Sequence, residues 1–186
     1  MTKFEEAVLF AVECHAGMRR KGTGTPYILH PMEAASIAAS ITNDEDVLVA
    51  ALLHDTLEDA GVTERELTEK FGERVTALVK SETENKRRDR PAASTWMLRK
   101  EESLAYLANA AQEVKILWLS DKLSNIRSFY RMFLEEGMGF MRFFNEKDPA
   151  KHAWYYRSIA ALMPELSGTA AYKEYVNLIN EVFKGV

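Results

Sequence analysis

The sequence predicts an all-α fold, a bundle of about nine helices in one domain. Three observations carry that reading. Apolar residues recur every three or four positions through most of the chain. No segment sustains the period-two alternation of a half-buried strand, and no Asn-Gly hairpin signal occurs. Capping pairs stand directly before several of the periodic stretches.

Each element has its own signal. Thr2 with Glu5 opens a first helix over about 3–18, with Phe4, Ala7, Val8, Ala11 and Cys14 as its apolar stripe. A Gly/Thr-rich loop then runs from Arg20 to His30. His30 precedes Pro31, so it is expected in extended backbone just before a second helix over about 32–41. Thr42 with Glu45 marks a third helix, about 44–59. Thr63 with Glu66 caps a fourth, about 64–70, and a fifth covers about 73–83. The connection from Glu84 to Ala93 holds Lys86, Arg87, Arg88, Arg90 and Pro91, and is expected to be solvated and mobile. Helices over about 95–109 and 112–135 follow, the latter with a stripe of Val114, Leu117, Leu123, Ile126 and Tyr130. Asp148 before Pro149 starts a helix over about 149–163, and the last covers about 169–183.

Composition narrows the function. The chain has 186 residues, 47% hydrophobic and 28% charged, with a formal net charge of −4. That is ordinary for one globular domain and gives no basic coat for a nucleic-acid polymer. The longest wholly apolar run, Val47 to Leu53, is far short of the roughly 20 residues a membrane span needs. The N-terminal segment carries acids before its apolar stretch and no cleavage pattern, and the single cysteine, Cys14, fits a reducing compartment. The expectation is a cytoplasmic protein.

The chemistry concentrates in Leu52-Leu53-His54-Asp55-Thr56-Leu57-Glu58-Asp59. Seven apolar residues, Val47 to Leu53, lead into four ionisable ones. On one continuous helix Glu58 would share a face with His54, and Asp59 with Asp55. Burying four such groups is costly unless they are paired or bind a metal. His30 and Asp121 complete a set of two histidines and two aspartates; Asp121 is embedded in the apolar stretch Ile116 to Leu123. Mixed nitrogen and oxygen donors suit Mn²⁺, Fe²⁺, Co²⁺ or Zn²⁺. His-Asp alone is a common dipeptide; the whole set is what points to a site. Arg19-Arg20-Lys21 lies in the loop that leads to His30, and supplies cations for an anionic substrate.

The order His30, His54-Asp55, Asp121 resembles the HD-domain metal-dependent phosphohydrolases. More narrowly, Arg20-Lys21, Pro26-Tyr27-Ile28-Leu29-His30-Pro31, Leu53 to Asp59 and Asp121-Lys122-Leu123-Ser124-Asn125-Ile126-Arg127 resemble the hydrolase domain of RelA/SpoT homologues, which hydrolyse the alarmone (p)ppGpp. The likeness is dense over about 4–130 and thin over the helices from 131 to 186. It implies one metal ion, usually Mn²⁺ in that family, held by His30, His54, Asp55 and Asp121. It implies that Glu58 and Asp59 orient and deprotonate the attacking water. It implies that Arg20, Lys21 and Asn125 contact the nucleotide. The chain departs from the pattern in Gly22-Thr23-Gly24-Thr25, one residue longer than usual, in Met18, and in the acids Glu82 and Glu84. Two other readings therefore stand beside the alarmone: a different nucleotide at the same metal, or a non-catalytic nucleotide sensor. The C-terminal aromatics Phe140, Phe143, Phe144, Trp154, Tyr155 and Tyr156 are expected to fill core or an interface with a second copy. His15 is expected to be structural, and Lys151, His152 and Arg157 are within reach of a phosphate only if the fold brings them there.

Overall fold

In the computed structural model, which describes residues 1–186, every regular element is helical. The α-helices are α1 (Lys3–Cys14), α2 (Leu29–Ala39), α3 (Glu45–Leu53), α4 (Thr56–Asp59), α5 (Glu64–Phe71), α6 (Glu73–Glu82), α7 (Trp96–Leu107), α8 (Gln112–Glu136), α9 (Pro149–Ala161) and α10 (Ala170–Val182). Two 3₁₀ segments, Gly137–Phe143 and Pro164–Leu166, join the last three. No helix is long and apolar enough to cross a membrane.

Nine expected helices become ten because the third is interrupted. His54 Nδ1 donates to the Ala51 carbonyl at 2.8 Å, and Thr56 Oγ1 donates to the Leu53 carbonyl at 2.7 Å. These side chains take acceptors at the end of α3 in place of amides further along, and the chain turns at His54-Asp55 before α4 resumes. α2 corrects a second expectation. It begins at Leu29, so His30 and Pro31 lie in its first turn and His30 is helical, not extended. Proline is tolerated there because first-turn amides have no intrahelical acceptor. The Thr42–Glu45 pairing is also replaced: Asp44 caps α3 by accepting from the Asp46 amide, and Thr42 accepts from Asp44. Thr2 and Thr63 form full capping boxes, and Asp148 caps α9 with Pro149 in its first turn.

α8 is the axis of the bundle. It packs against α2, α3, α6 and α10. Leu117, Leu119, Leu123 and Ile126 are fully buried from its sides, and Leu52 and Leu53 meet them from α3. Each such side chain contributes roughly 1.5–3 kcal/mol of burial. The same packing excludes water around Asp121 and its polar neighbours on α8, Ser120, Ser124 and Ser128. Phe140, Tyr155 and Tyr156 belong to the interior of this one chain. Phe143 and Trp154 keep 37% and 36% of their surface exposed.

Candidate metal and nucleotide site

Three elements converge on one point: the first turn of α2, the break between α3 and α4, and the middle of α8. His30 Nε2 lies 3.2 Å from His54 Nε2 and 3.0 Å from Asp121 Oδ1. Asp55 Oδ2 lies 3.0 Å from His54 Nε2 and 3.6 Å from His30 Nε2. His30, His54 and Asp121 together offer ligand atoms within 4.8 Å of one another, and all three are buried.

The surroundings fix which nitrogen faces the cluster. His54 Nδ1 is spent on the Ala51 carbonyl, which only accepts. His30 Nδ1 meets Ser124 Oγ at 2.8 Å, and that hydroxyl gives its own proton to Glu33 Oε2 at 2.7 Å. In the neutral rings both Nε2 atoms therefore point lone pairs into the cluster. Two lone pairs at 3.2 Å need a cation between or beside them. Burial lowers His30, and its proton affinity falls. Burial works the same way on His54, but the Asp55 and Asp121 carboxylates outweigh it and raise its proton affinity well above normal. For Asp121, burial is overcome by Lys122 and the two histidines, which hold its carboxyl well below the usual range. Two carboxylates facing two imidazoles, with second partners already fixed, form a donor set that fits a divalent ion.

The supporting contacts include residues to which sequence reasoning gave no role. Tyr27 donates to Asp55 Oδ2 at 2.7 Å. Lys122 pairs with Asp121 Oδ2 and, at 3.4 Å, with Glu82. Asn125 Nδ2 donates to Asp121 Oδ1 at 2.6 Å while its Oδ1 accepts from Arg20 at 2.8 Å. Tyr27 and Lys122 stood inside the recognised motifs; Ser124 did too, without any cue to its partner.

Glu58 and Asp59 border the cluster from α4. Lys86 bridges them, 2.6 Å from Glu58 Oε1 and 2.8 Å from Asp59 Oδ1. The Glu84 amide donates to Glu58 Oε2 at 2.8 Å. Burial raises Glu58 above the usual carboxylate range, against the pull of Lys86. This corrects the expectation for the start of the 84–93 segment, where Glu84 is locked by Arg99 and Lys100 at 2.6 Å each and Arg87 by Glu102, while Asn85, residues 88–91 and Ala93 are exposed as expected.

The site opens into a cavity of about 470 Å³. Glu82, Glu84, Lys86, Arg99, Lys100 and Lys122 line one side, and their charges pair off. Burial pushes Glu82 up to about 7, and its Oε1 has no hydrogen-bond partner. Arg19, Arg20 and Lys21 line the other side, where Arg20 bonds to Asn125 and Arg19 to the Gly24 carbonyl, neither of them an acid. Trp96, Phe129, Phe144 and His152 close one end. Lys151 pairs with Glu146 instead, and Arg157 donates to the Phe183 and Val186 carbonyls, so neither reaches the cavity. His15 is buried beside Tyr27, ring centroids 5.1 Å apart, with neither nitrogen hydrogen-bonded.

Comparison with known proteins adds three findings. A family model described as an HD domain matches residues 7–136. Over 135 residues the chain is 39% identical to a guanosine-3′,5′-bis(diphosphate) 3′-pyrophosphohydrolase of Aquifex aeolicus, covering 72% of this chain and 18% of that one. Over 130 residues it is 38% identical to the pyrophosphohydrolase MESH1 of Danio rerio, covering 68% of each. The chain thus spans about a fifth of the first relative and two thirds of the second. A solved metazoan SpoT ortholog, described as hydrolysing ppGpp, shares the fold with a TM-score of 0.75 at 22% identity, over 100% of this chain and 98% of that one.

Proposed function

The chain belongs to the HD domain family, and from that premise we propose that it is a metal-dependent phosphohydrolase acting on the 3′-pyrophosphate of (p)ppGpp, with GDP or GTP and pyrophosphate as products. The observation that carries the reading is the cluster of buried His30, His54 and Asp121 with the partly exposed Asp55 beside them, open to a cavity with a cationic side. The names of the relatives supply the substrate.

His30, His54, Asp55 and Asp121 would hold one divalent ion, which we assign as Mn²⁺. Such an ion polarises a phosphoryl oxygen and acidifies water. Arg20 and Lys21 bind the phosphates, and Asn125 orients Arg20 through its 2.8 Å bond. Glu58 and Asp59 orient the attacking water and accept its proton. The water oxygen bonds to the phosphorus next to the ribose, the bond from that phosphorus to the 3′-oxygen breaks, and the 3′-oxygen leaves as a hydroxyl after taking a proton. The aromatic end of the cavity suits a base.

The acids Glu82 and Glu84, which favoured another nucleotide in the sequence, are neutralised by Lys122, Arg99 and Lys100. They do not set a net repulsion against a polyphosphate. The protein works in the cytoplasm as a small-molecule enzyme, without a nucleic-acid polymer or a membrane as partner. Of the C-terminal aromatics, Phe143 and Trp154 are the exposed ones left for contact with a second copy. Turnover of a nucleotide panel with Mn²⁺, Zn²⁺ or Mg²⁺ tests the reading. Mn²⁺-dependent release of pyrophosphate from (p)ppGpp is expected; preference for a nucleoside monophosphate refutes the substrate, and binding without turnover refutes the enzyme.

A further inference from the structure

The segment between α6 and α7 converges on the two acids of α4. Lys86 bridges Glu58 and Asp59 at 2.6 and 2.8 Å. The Glu84 amide holds the other oxygen of Glu58, and Arg88 donates to the Glu58 carbonyl at 2.8 Å. Glu84 itself is anchored on α7 by Arg99 and Lys100. The three other cations on this side of the cavity are buried against acids, Arg99 at 9%, Lys100 at 16% and Lys122 at 13% side-chain exposure. Lys86 differs in two ways. It is 33% exposed, and its partners are the groups the reaction needs as a base.

Lys86 is the most exposed of these cations, so it can exchange its carboxylate partners for an incoming anion at the least cost. A pyrophosphate in the same cavity offers more charge and better acceptors than two single carboxylates. We propose that Lys86 reads the charge of the substrate: it clamps Glu58 and Asp59 in the free enzyme and moves to a phosphate when a polyphosphorylated nucleotide binds. The two carboxylates are then free to take the proton of the attacking water. This rests on the reading of Glu58 and Asp59 given above. The charged and polar groups facing Glu58 are Lys86, the Glu84 amide, Asp55 and its neighbour Asp59. Of these only Lys86 is a side-chain cation, and its two contacts at 2.6 and 2.8 Å occupy an oxygen of each acid until it leaves.

The test compares wild type, Lys86→Met and Lys86→Arg on guanosine 5′-diphosphate carrying either a 3′-pyrophosphate or a 3′-monophosphate. In Lys86→Met the 3′-monophosphate nucleotide, which no longer has a clamp to displace, should turn over at least as fast as in wild type, while KM for the pyrophosphate nucleotide rises. The preference for the pyrophosphate should fall about tenfold, the size of one charge-assisted hydrogen bond. Lys86→Arg should restore both features. Slower turnover of the monophosphate in Lys86→Met, or equal losses on both substrates, would overturn the role of Lys86. If the wild-type protein hydrolyses neither nucleotide, the assigned function fails first.

Discussion

Each imidazole of the cluster has one nitrogen committed to a fixed partner, Ala51 for His54 and Ser124 for His30. The orientation of each ring is therefore set by the protein's own groups, and metal affinity should follow the protonation of His54. Burial acts to lower the proton affinity of that residue, but Asp55 and Asp121 prevail and raise it above the ordinary value of 6.5. An entering cation must displace the proton, so affinity is lost at low pH and gained as pH rises. Mn²⁺ titrations at pH 6 and pH 8 should differ by about tenfold or more, tighter at pH 8; equal affinities would contradict this protonation state. Glu58→Gln or Asp59→Asn should leave metal content near normal while turnover falls by roughly 10²-fold, the scale of general-base catalysis. His54→Ala should lose metal and turnover together. Near-wild-type rates in both carboxamide variants would remove the water-activating role from the pair. At this scale the convergence of the two histidines with Asp121 was readable because carboxylates and imidazoles embedded in apolar runs need a reason to be there. Lys86 and Glu84 were not, because their partners lie 27 and 26 residues away in sequence and only the fold brings them together.

Among the elements, helix starts with a local side-chain signature were readable, as Thr2 and Thr63 illustrate. The break at His54-Asp55 was not, because the apolar pattern runs on to Leu57 and fits one continuous helix. What breaks it is the capture of carbonyls by His54 and Thr56, a choice between side chain and amide that periodicity does not record. The helical His30 was missed for a related reason: the bias against helix before proline yields when that proline falls in the first turn. The loop Gly22-Thr23-Gly24-Thr25, longer than the motif it resembles, has a readable purpose in the structure. The Arg20 amide donates to the Thr25 carbonyl at 2.9 Å and closes it, and Gly22 at φ +81° comes so close to α8 that a Cβ would overlap Met132 Sδ. Gly22→Ala should cost about 1–2 kcal/mol, for an unfavourable φ and a displaced methionine. It should also raise KM by misplacing Arg20 and Lys21. Denaturant unfolding and steady-state kinetics check both; an unchanged KM would detach the loop from substrate binding.

For the whole molecule, the net charge of −4 opposes a polyanionic substrate, and the unpaired cations of Arg19 to Lys21 offset it locally. Lys21→Ala should raise KM for the 3′-pyrophosphate nucleotide by about tenfold and for a monophosphate much less, with the gap widest at low salt. Equal increases for both would assign Lys21 to the folding of its loop. The bundle itself was legible as nine helical patterns, since α8 and its apolar stripe specify an axis. The cavity between α4, α7 and α8 was not, since no local pattern encodes the distance between helices. The central claim is that this cavity, with a divalent ion on the two histidines and two aspartates, removes pyrophosphate from the 3′ position. Phosphorus NMR of ppGpp with the Mn²⁺-loaded protein tests it most directly. The account predicts that the 3′-pyrophosphate signals give way to free pyrophosphate while the 5′-diphosphate persists, with no such change for His54→Ala. Orthophosphate as the first product, loss of the 5′-phosphates, or an unaltered spectrum with the metal-loaded protein would contradict it.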